Sequence, residues 1–169
     1  FRKIRKSALA GRRYTDNMPA PAKAKALFLA YALILSLPAH ANFTGKVVAI
    51  ADGDTLTVLR DREQIKVRLV EIDAPEKAQA FGNRSKQSLS DLCFGKSATL
   101  ADQGIDRYGR TLARVTCEGI DANTEQVRRG MAWVYRKYTP NDSPMYAIES
   151  EAKAAKRGLW ADADPLPPW

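Results

Sequence analysis

The chain has 169 residues, a formal net charge of +8, two cysteines and a single histidine, His40. That length gives room for one domain with a leader. Eight of the 27 Lys and Arg residues but only one of the 19 acids lie in residues 1–41, so the remainder carries +1 and has little general attraction for a polyanion.

The leader has the parts of a secretory signal: basic Lys23 and Lys25, the apolar run Ala26–Leu37, and Ala39 and Ala41 as a small-x-small cleavage pattern. Those twelve residues span about 18 Å as a helix against roughly 30 Å for a bilayer core. An exported protein without a stable membrane anchor is therefore expected, in the periplasm or secreted. Met18 is a second candidate start, which makes residues 1–17 upstream sequence or a long basic n-region. Cleavage after Ala41 leaves a chain starting at Asn42 and removes His40 with the leader. Ser-His and Cys-His nucleophiles and imidazole zinc sites are thereby excluded, and two cysteines alone cannot hold a structural zinc. In an exported chain Cys93 and Cys117 read as a candidate disulfide; two free buried thiols are the alternative.

Along the mature chain, Phe43–Ile50 reads as a strand, and Asp52-Gly53 reads as a hairpin turn in which Gly53 accepts positive φ. Thr55–Asp61 continues as a strand, a second turn falls at Arg60–Glu63, and Gln64–Ile72 follows as a third strand ending at Asp73 before Ala74-Pro75. Helical spacing of Leu89, Leu92 and Cys93 predicts a helix over Asn83–Phe94, stopped by Gly95. Ser97–Gln103 and Arg110–Glu118 alternate as strands four and five. Asn123–Trp133 reads as a short helix capped by Asn123 or Asp121, with Gly130 near its end. A last helix has Ser143 as N-cap, Pro144 at its first position and Gly158 as C-cap. The domain is thus expected to run from 42 to 161, followed by a loose Pro-rich tail, 162–169. Five strands and three helices are compatible with an α+β, mainly β, OB-type barrel, although periodicity does not single it out from other α+β arrangements.

Charged residues gather at strand ends. Asp52 and Asp54 share the first turn, Asp73 and Glu76 bracket a strand exit, and Arg107 and Arg110 flank Tyr108-Gly109. Arg68 lies within an apolar strand and needs an anion, either a neighbouring carboxylate or a phosphate held bidentately. Clustered carboxylates repel unless a cation or proton intervenes, and oxygen ligands without imidazole or thiolate suit Ca²⁺ or Mg²⁺. A hard cation, arginines and a spare carboxylate are the equipment for attacking a phosphodiester. One geometric difficulty attends this reading. Arg68 and Asp73 are five residues apart, so strict alternation sends them to opposite faces unless the chain bends before Asp73.

"DGDT" (Asp52–Thr55), "RLVEIDAPE" (Arg68–Glu76), "DRYGR" (Asp106–Arg110) and "VRRGMAW" (Val127–Trp133), in that order and spacing, resemble the staphylococcal nuclease family. The resemblance spans essentially Phe43–Trp160 and implies an OB-fold enzyme that hydrolyses DNA and RNA with Ca²⁺. By motif position it implies Asp54 and Asp73 as metal ligands, the Ala74 carbonyl as a backbone ligand and Asp52 in the outer shell. Glu76 corresponds to the residue that positions or activates water, and Arg68 and Arg110 to those that hold the scissile phosphate. Arg107 and Tyr108 resemble a pair that binds a terminal phosphate of a nucleotide, and Tyr138 falls near a tyrosine lining the nucleotide pocket. The chain departs from the family in having Ala74 where the staphylococcal enzyme has Thr; the backbone oxygen survives that change.

Two functional readings follow: an exported Ca²⁺-dependent nuclease, monomeric, with single-stranded nucleic acid as its preferred substrate, and a catalytically silent OB module that only binds single strands. The joint presence of Asp54, Arg68, Asp73, Glu76 and Arg110 favours the enzyme.

Overall fold

The computed structural model describes residues 42–169; the expected leader, its signal sequence and the cleavage point at Ala41 lie outside the described residues. In chain order the elements are β1 (Phe43–Ile50), β2 (Thr55–Arg60), β3 (Glu63–Leu69), β4 (Ile72–Asp73), α1 (Gly82–Cys93), β5 (Ser97–Ile105), β6 (Thr111–Cys117), β7 (Ile120–Asp121), α2 (Ala122–Arg128), β8 (Trp133–Val134) and α3 (Met145–Ala154), followed by a 3₁₀ turn over Gly158–Ala161.

Antiparallel pairing runs β3-β2-β1-β5-β6, and a parallel pairing of β3 with β6 closes the ring. The result is the expected α+β architecture, a closed five-stranded OB-like barrel with three helices. Alternation explains how the strands fill it: Leu56 and Val58, Val67 and Leu69, and Ala113, Val115 and Cys117 point inward at every second position. Helix α1 lays Leu89, Leu92 and Cys93 onto this core, and α2 adds Ala122 and Val127. Among the described residues no helix is long and apolar enough to cross a membrane.

Cys93, the last residue of α1, is bridged to Cys117, the last of β6, with Cα atoms 5.3 Å apart. Of the two states left open by the sequence, the structure has the disulfide. Its closure spans a separation of 24 residues, and the double Cys93→Ser, Cys117→Ser variant is expected to lose about 3 kcal/mol in urea denaturation, mainly through a less restricted unfolded chain.

Several boundaries differ from the sequence expectations. The first turn is not a tight Asp-Gly hairpin. The β1–β2 pairing ends at Ile50 opposite Leu56, and a wider loop is closed by Ala51 N–H donating to the Thr55 carbonyl at 2.9 Å. Gly53 does not take positive φ. It is required by close approach, since a Cβ there would lie 1.8 Å from Ser85 Oγ and 2.7 Å from the Ala74 methyl.

The third strand stops at Leu69, short of the expected Ile72. Val70 and Glu71 form a turn with Glu71 at φ 64°, and Ile72–Asp73 then pairs with Trp133–Val134 in a separate small sheet. Asp121, not Asn123, caps α2, its carboxylate accepting from Thr124 N–H at 2.8 Å. That helix ends at Arg128 because the chain must turn back into β8. Helix α3 ends at Ala154, and Lys156, at φ 50°, makes the turn assigned by sequence to Gly158. Gly158 instead meets Gly130, whose carbonyl accepts from Leu159 N–H at 2.8 Å. The Pro-rich segment has no helix or strand, yet Trp169 packs edge-on to Trp133 with centroids 6.2 Å apart and against Tyr135 at 5.4 Å.

Candidate active site

The β1–β2 loop, the turn after β3 and the start of β6 meet at one end of the barrel. Asp54 leads into β2, and its backbone carbonyl accepts from Leu69 N–H at 2.8 Å, which ties the loop to the end of β3. In that register Thr55 lies opposite Arg68. The arginine points away from the buried row of Val67 and Leu69.

Its guanidinium gathers the site. Nη1 donates to the carbonyls of Leu69 at 2.7 Å and Ile72 at 2.9 Å, so it holds both sides of the Val70–Glu71 turn. Nη2 meets Asp73 Oδ1 at 2.5 Å and Asp54 Oδ2 at 3.1 Å. Two carboxylates from different elements therefore reach a single nitrogen. The bend required by the five-residue spacing is real, and it lies at Glu71, where a positive φ reverses the side-chain parity before Asp73.

Asp54 is buried, with both oxygens engaged: Oδ1 accepts from Thr55 Oγ1 at 3.0 Å and Oδ2 from Ala74 N–H at 2.7 Å. Asp52 Oδ1 accepts from Asp54 N–H at 3.1 Å, an Asx turn that keeps a second carboxylate beside the first. Burial pushes the Asp54 carboxyl up to about 8, with Asp52 adding to the rise and Arg68 and the Ala74 N–H opposing it. Asp73 is raised as well, first by burial and then by Glu76 and Asp52, against Arg68. Among the described residues, no three carboxylates form a ready-made cation cage; a guanidinium stands between Asp54 and Asp73.

Glu76 is exposed just beyond Pro75, close enough to act on the charge of Asp73. Arg110 precedes Thr111, the partner of Val67 in the parallel pairing, while Arg68 lies opposite Leu112. Alternation puts Arg110 and Leu112 on one side, and hence Arg68 and Arg110 on the same face of neighbouring strands. Arg110 Nε is held by Asp106 Oδ2 at 2.7 Å, which leaves the terminal nitrogens for another anion. Partial burial works against ionisation of Asp106, but N–H bonds from Arg110 and Tyr108 and the Arg110 guanidinium hold it below the usual carboxylate range.

Tyr108 is exposed between two cations, with Arg107 4.7 Å and Arg110 5.4 Å from its ring centroid. Tyr138 is exposed too and packs edge-on to Tyr135 at 5.2 Å. The turn that carries it rests on Glu71, whose carbonyl accepts from Tyr135 N–H at 2.8 Å and Thr139 Oγ1 at 3.1 Å.

Sequence reasoning missed Arg114. It binds Glu71 Oε2 at 2.8 Å, Asp121 Oδ2 at 2.5 Å and Thr124 Oγ1 at 2.8 Å, which fixes the Glu71 turn to the cap of α2. An arginine at an outward strand position carries no local signal of this, because its partners lie 43 and 7 residues away. Arg114→Met is expected to cost about 2 kcal/mol in urea denaturation, since it leaves two half-buried carboxylates without their counter-charge. Gln126 was missed for the same reason. It is fully buried and donates to the Gly53 carbonyl at 2.7 Å and the Ser85 carbonyl at 3.1 Å, beneath the Asp52–Asp54 loop.

A family profile described as "Staphylococcal nuclease homologue" matches residues 66–162. The chain belongs to the staphylococcal nuclease family. Its relatives include a micrococcal nuclease of Shigella flexneri, 44% identical over 86% of this chain and 89% of that protein. An uncharacterized endonuclease of Haemophilus influenzae is 50% identical over 80% of this chain and 76% of its own length. Protein ParB of Escherichia coli is 41% identical over 81% and 83%, respectively. This staphylococcal nuclease homologue is accordingly a hydrolase acting on phosphodiester bonds. The matched segment contains Arg68, Asp73, Glu76 and Arg110, and the Asp52–Asp54 loop precedes it.

Proposed function

We propose that this nuclease is an exported, Ca²⁺-dependent enzyme that cleaves DNA and RNA, preferring single strands and acting as a monomer. The observation that carries the proposal is the meeting of Asp54 and Asp73 at one Arg68 nitrogen. Their oxygens are no farther apart than those two contacts laid end to end.

The donor set fits a hard divalent cation. It offers carboxylate and carbonyl oxygens, and no imidazole or thiolate lies in it. Burial beside like charges raises the cost of ionising Asp54, and a cation would relieve the same repulsion. Asp54, Asp73 and the Ala74 carbonyl would hold Ca²⁺, with Asp52 in the outer shell. When bound, the ion neutralises charge on the phosphoryl oxygens.

The chain's own residues do the rest. Arg68, which stands beside both carboxylates, would present its guanidinium to the scissile phosphate. Arg110 grips it from the neighbouring strand, and both arginines stabilise the charge that grows at phosphorus. Glu76, exposed at the loop, orients or deprotonates the attacking water. Arg107 and Tyr108 take a terminal phosphate, and Tyr138 offers a ring to a base. The +1 charge of residues 42–169 supports transient engagement with little dependence on distant phosphate contacts.

Incubation of the purified protein with single-stranded DNA and with RNA, in Ca²⁺ or in chelator, tests this. Cleavage only with Ca²⁺ is expected. Tight metal-independent binding without turnover overturns the enzymatic reading in favour of a binding module.

A further inference from the structure

Glu76 carries no packing that would hold it still. It is exposed, and it leads the six residues Glu76–Phe81 that run without helix or strand from Ala74-Pro75 to α1. A residue that must place a water against phosphorus needs a fixed backbone, since small displacements of a reacting group are costly in rate. The fixation comes from Gln79.

Gln79 binds both backbone groups of Glu76. Its side-chain oxygen Oε1 accepts from Glu76 N–H at 2.7 Å, and its own N–H donates to the Glu76 carbonyl at 2.8 Å. The Gln79 carbonyl in turn accepts from Gly82 N–H at 3.1 Å, which joins this two-bond clamp to the first residue of α1. Space is closed on the same side, because a Cβ on Gly82 would lie 2.2 Å from the Glu76 carbonyl oxygen. On the other side Pro75 is buried and Ala74 N–H is bound by Asp54. The backbone of Glu76 is thus spanned between the candidate cation site and the start of α1.

We propose that Gln79 is a positioning residue for the nuclease reaction, acting through the backbone of Glu76 to hold its carboxylate in attacking geometry. The inference rests on the reading of Glu76 given above. Gln79 touches neither substrate nor reacting atoms. Its amide is suited to the task because it accepts the Glu76 N–H without placing a further negative charge near the substrate phosphate. An acidic residue in its place would add such a charge.

The test compares the wild type, Gln79→Met, Glu76→Gln and the double variant, each as the full chain, with single-stranded DNA and Ca²⁺. Methionine keeps the length and bulk of the side chain and removes the acceptor. Because the lost bond is at the surface, Gln79→Met is expected to retain the wild-type melting temperature and KM while kcat falls about tenfold. In the Glu76→Gln background the same substitution is expected to change kcat by less than twofold, because the group it positions is already disabled. A tenfold loss in both backgrounds, or a change confined to KM, overturns the positioning role and leaves the role of Glu76 standing. Full activity of Glu76→Gln overturns both.

Discussion

Replacing Arg68 with alanine is expected to lower kcat about a thousandfold and to destabilise the cation-free protein by about 3 kcal/mol. The two losses have different origins. The rate loss reflects a guanidinium missing from the phosphoryl transition state. The stability loss reflects Asp54 and Asp73, which keep their places at 7% and 20% side-chain exposure without the charge that binds them. The Val70–Glu71 turn also loses the donor that joins the carbonyls of Leu69 and Ile72.

Saturating Ca²⁺ therefore has a specific expected effect on this variant: it restores most of the stability and none of the rate. A cation can stand in for a guanidinium between two carboxylates but not at the phosphate. Arg68→Lys should fall between, since an ammonium keeps the charge and gives up the forked reach to four oxygens. Urea denaturation in chelator and in Ca²⁺, beside initial rates on single-stranded DNA, reads both quantities. Equal stability of Arg68→Ala in the two buffers sinks the assignment of a cation to Asp54 and Asp73.

Glu76→Gln is expected to show the reverse profile. Exchange of a carboxylate for an amide of the same shape removes the base or orienting charge for water, and kcat should fall about a thousandfold. Stability should stay within about 0.5 kcal/mol of the wild type, as for other surface substitutions. Glu76 is exposed, and the structure holds it through its backbone, not its carboxylate. KM should be unchanged, because the contacts assigned to substrate lie in Arg68, Arg107, Tyr108 and Arg110. A Glu76→Gln enzyme that turns over at the wild-type rate would place water activation on another group.

The two variants separate the site into a buried electrostatic frame and an exposed reactive arm. Arg68 belongs to the frame, and its loss is expected to be felt in folding and chemistry together. Glu76 is assigned to the arm, and its backbone is flanked by buried Pro75 and by the two bonds from Gln79. This division also accounts for the dense bonding of the frame. Asp54 and Asp73 need either a proton or a counter-charge, and Arg68 supplies one from the strand that Asp54 already pairs with.

Much of the molecule was legible in the chain itself. Alternation at Leu56 and Val58, Val67 and Leu69, and Ala113 and Val115 marked the barrel strands, since burial of one face imposes a period of two that needs no knowledge of partners. Helical spacing marked α1, and the four ordered motifs marked the family and with it the candidate residues. Cys93 and Cys117 were visible as a pair, though their bridging was not. Tertiary structure decided what depends on residues distant in sequence. Gly53 looked like a turn glycine, and proved to be small because Ser85 and Ala74 crowd it. Glu71 carries no signal for positive φ, yet its φ of 64° brings Arg68 and Asp73 to one side. Arg114 and Gln126 read as ordinary strand and helix residues until their partners, drawn from other parts of the chain, surrounded them. Local pattern is written by burial and backbone propensity, whereas the convergence of charges is written only by which elements the closed barrel places side by side.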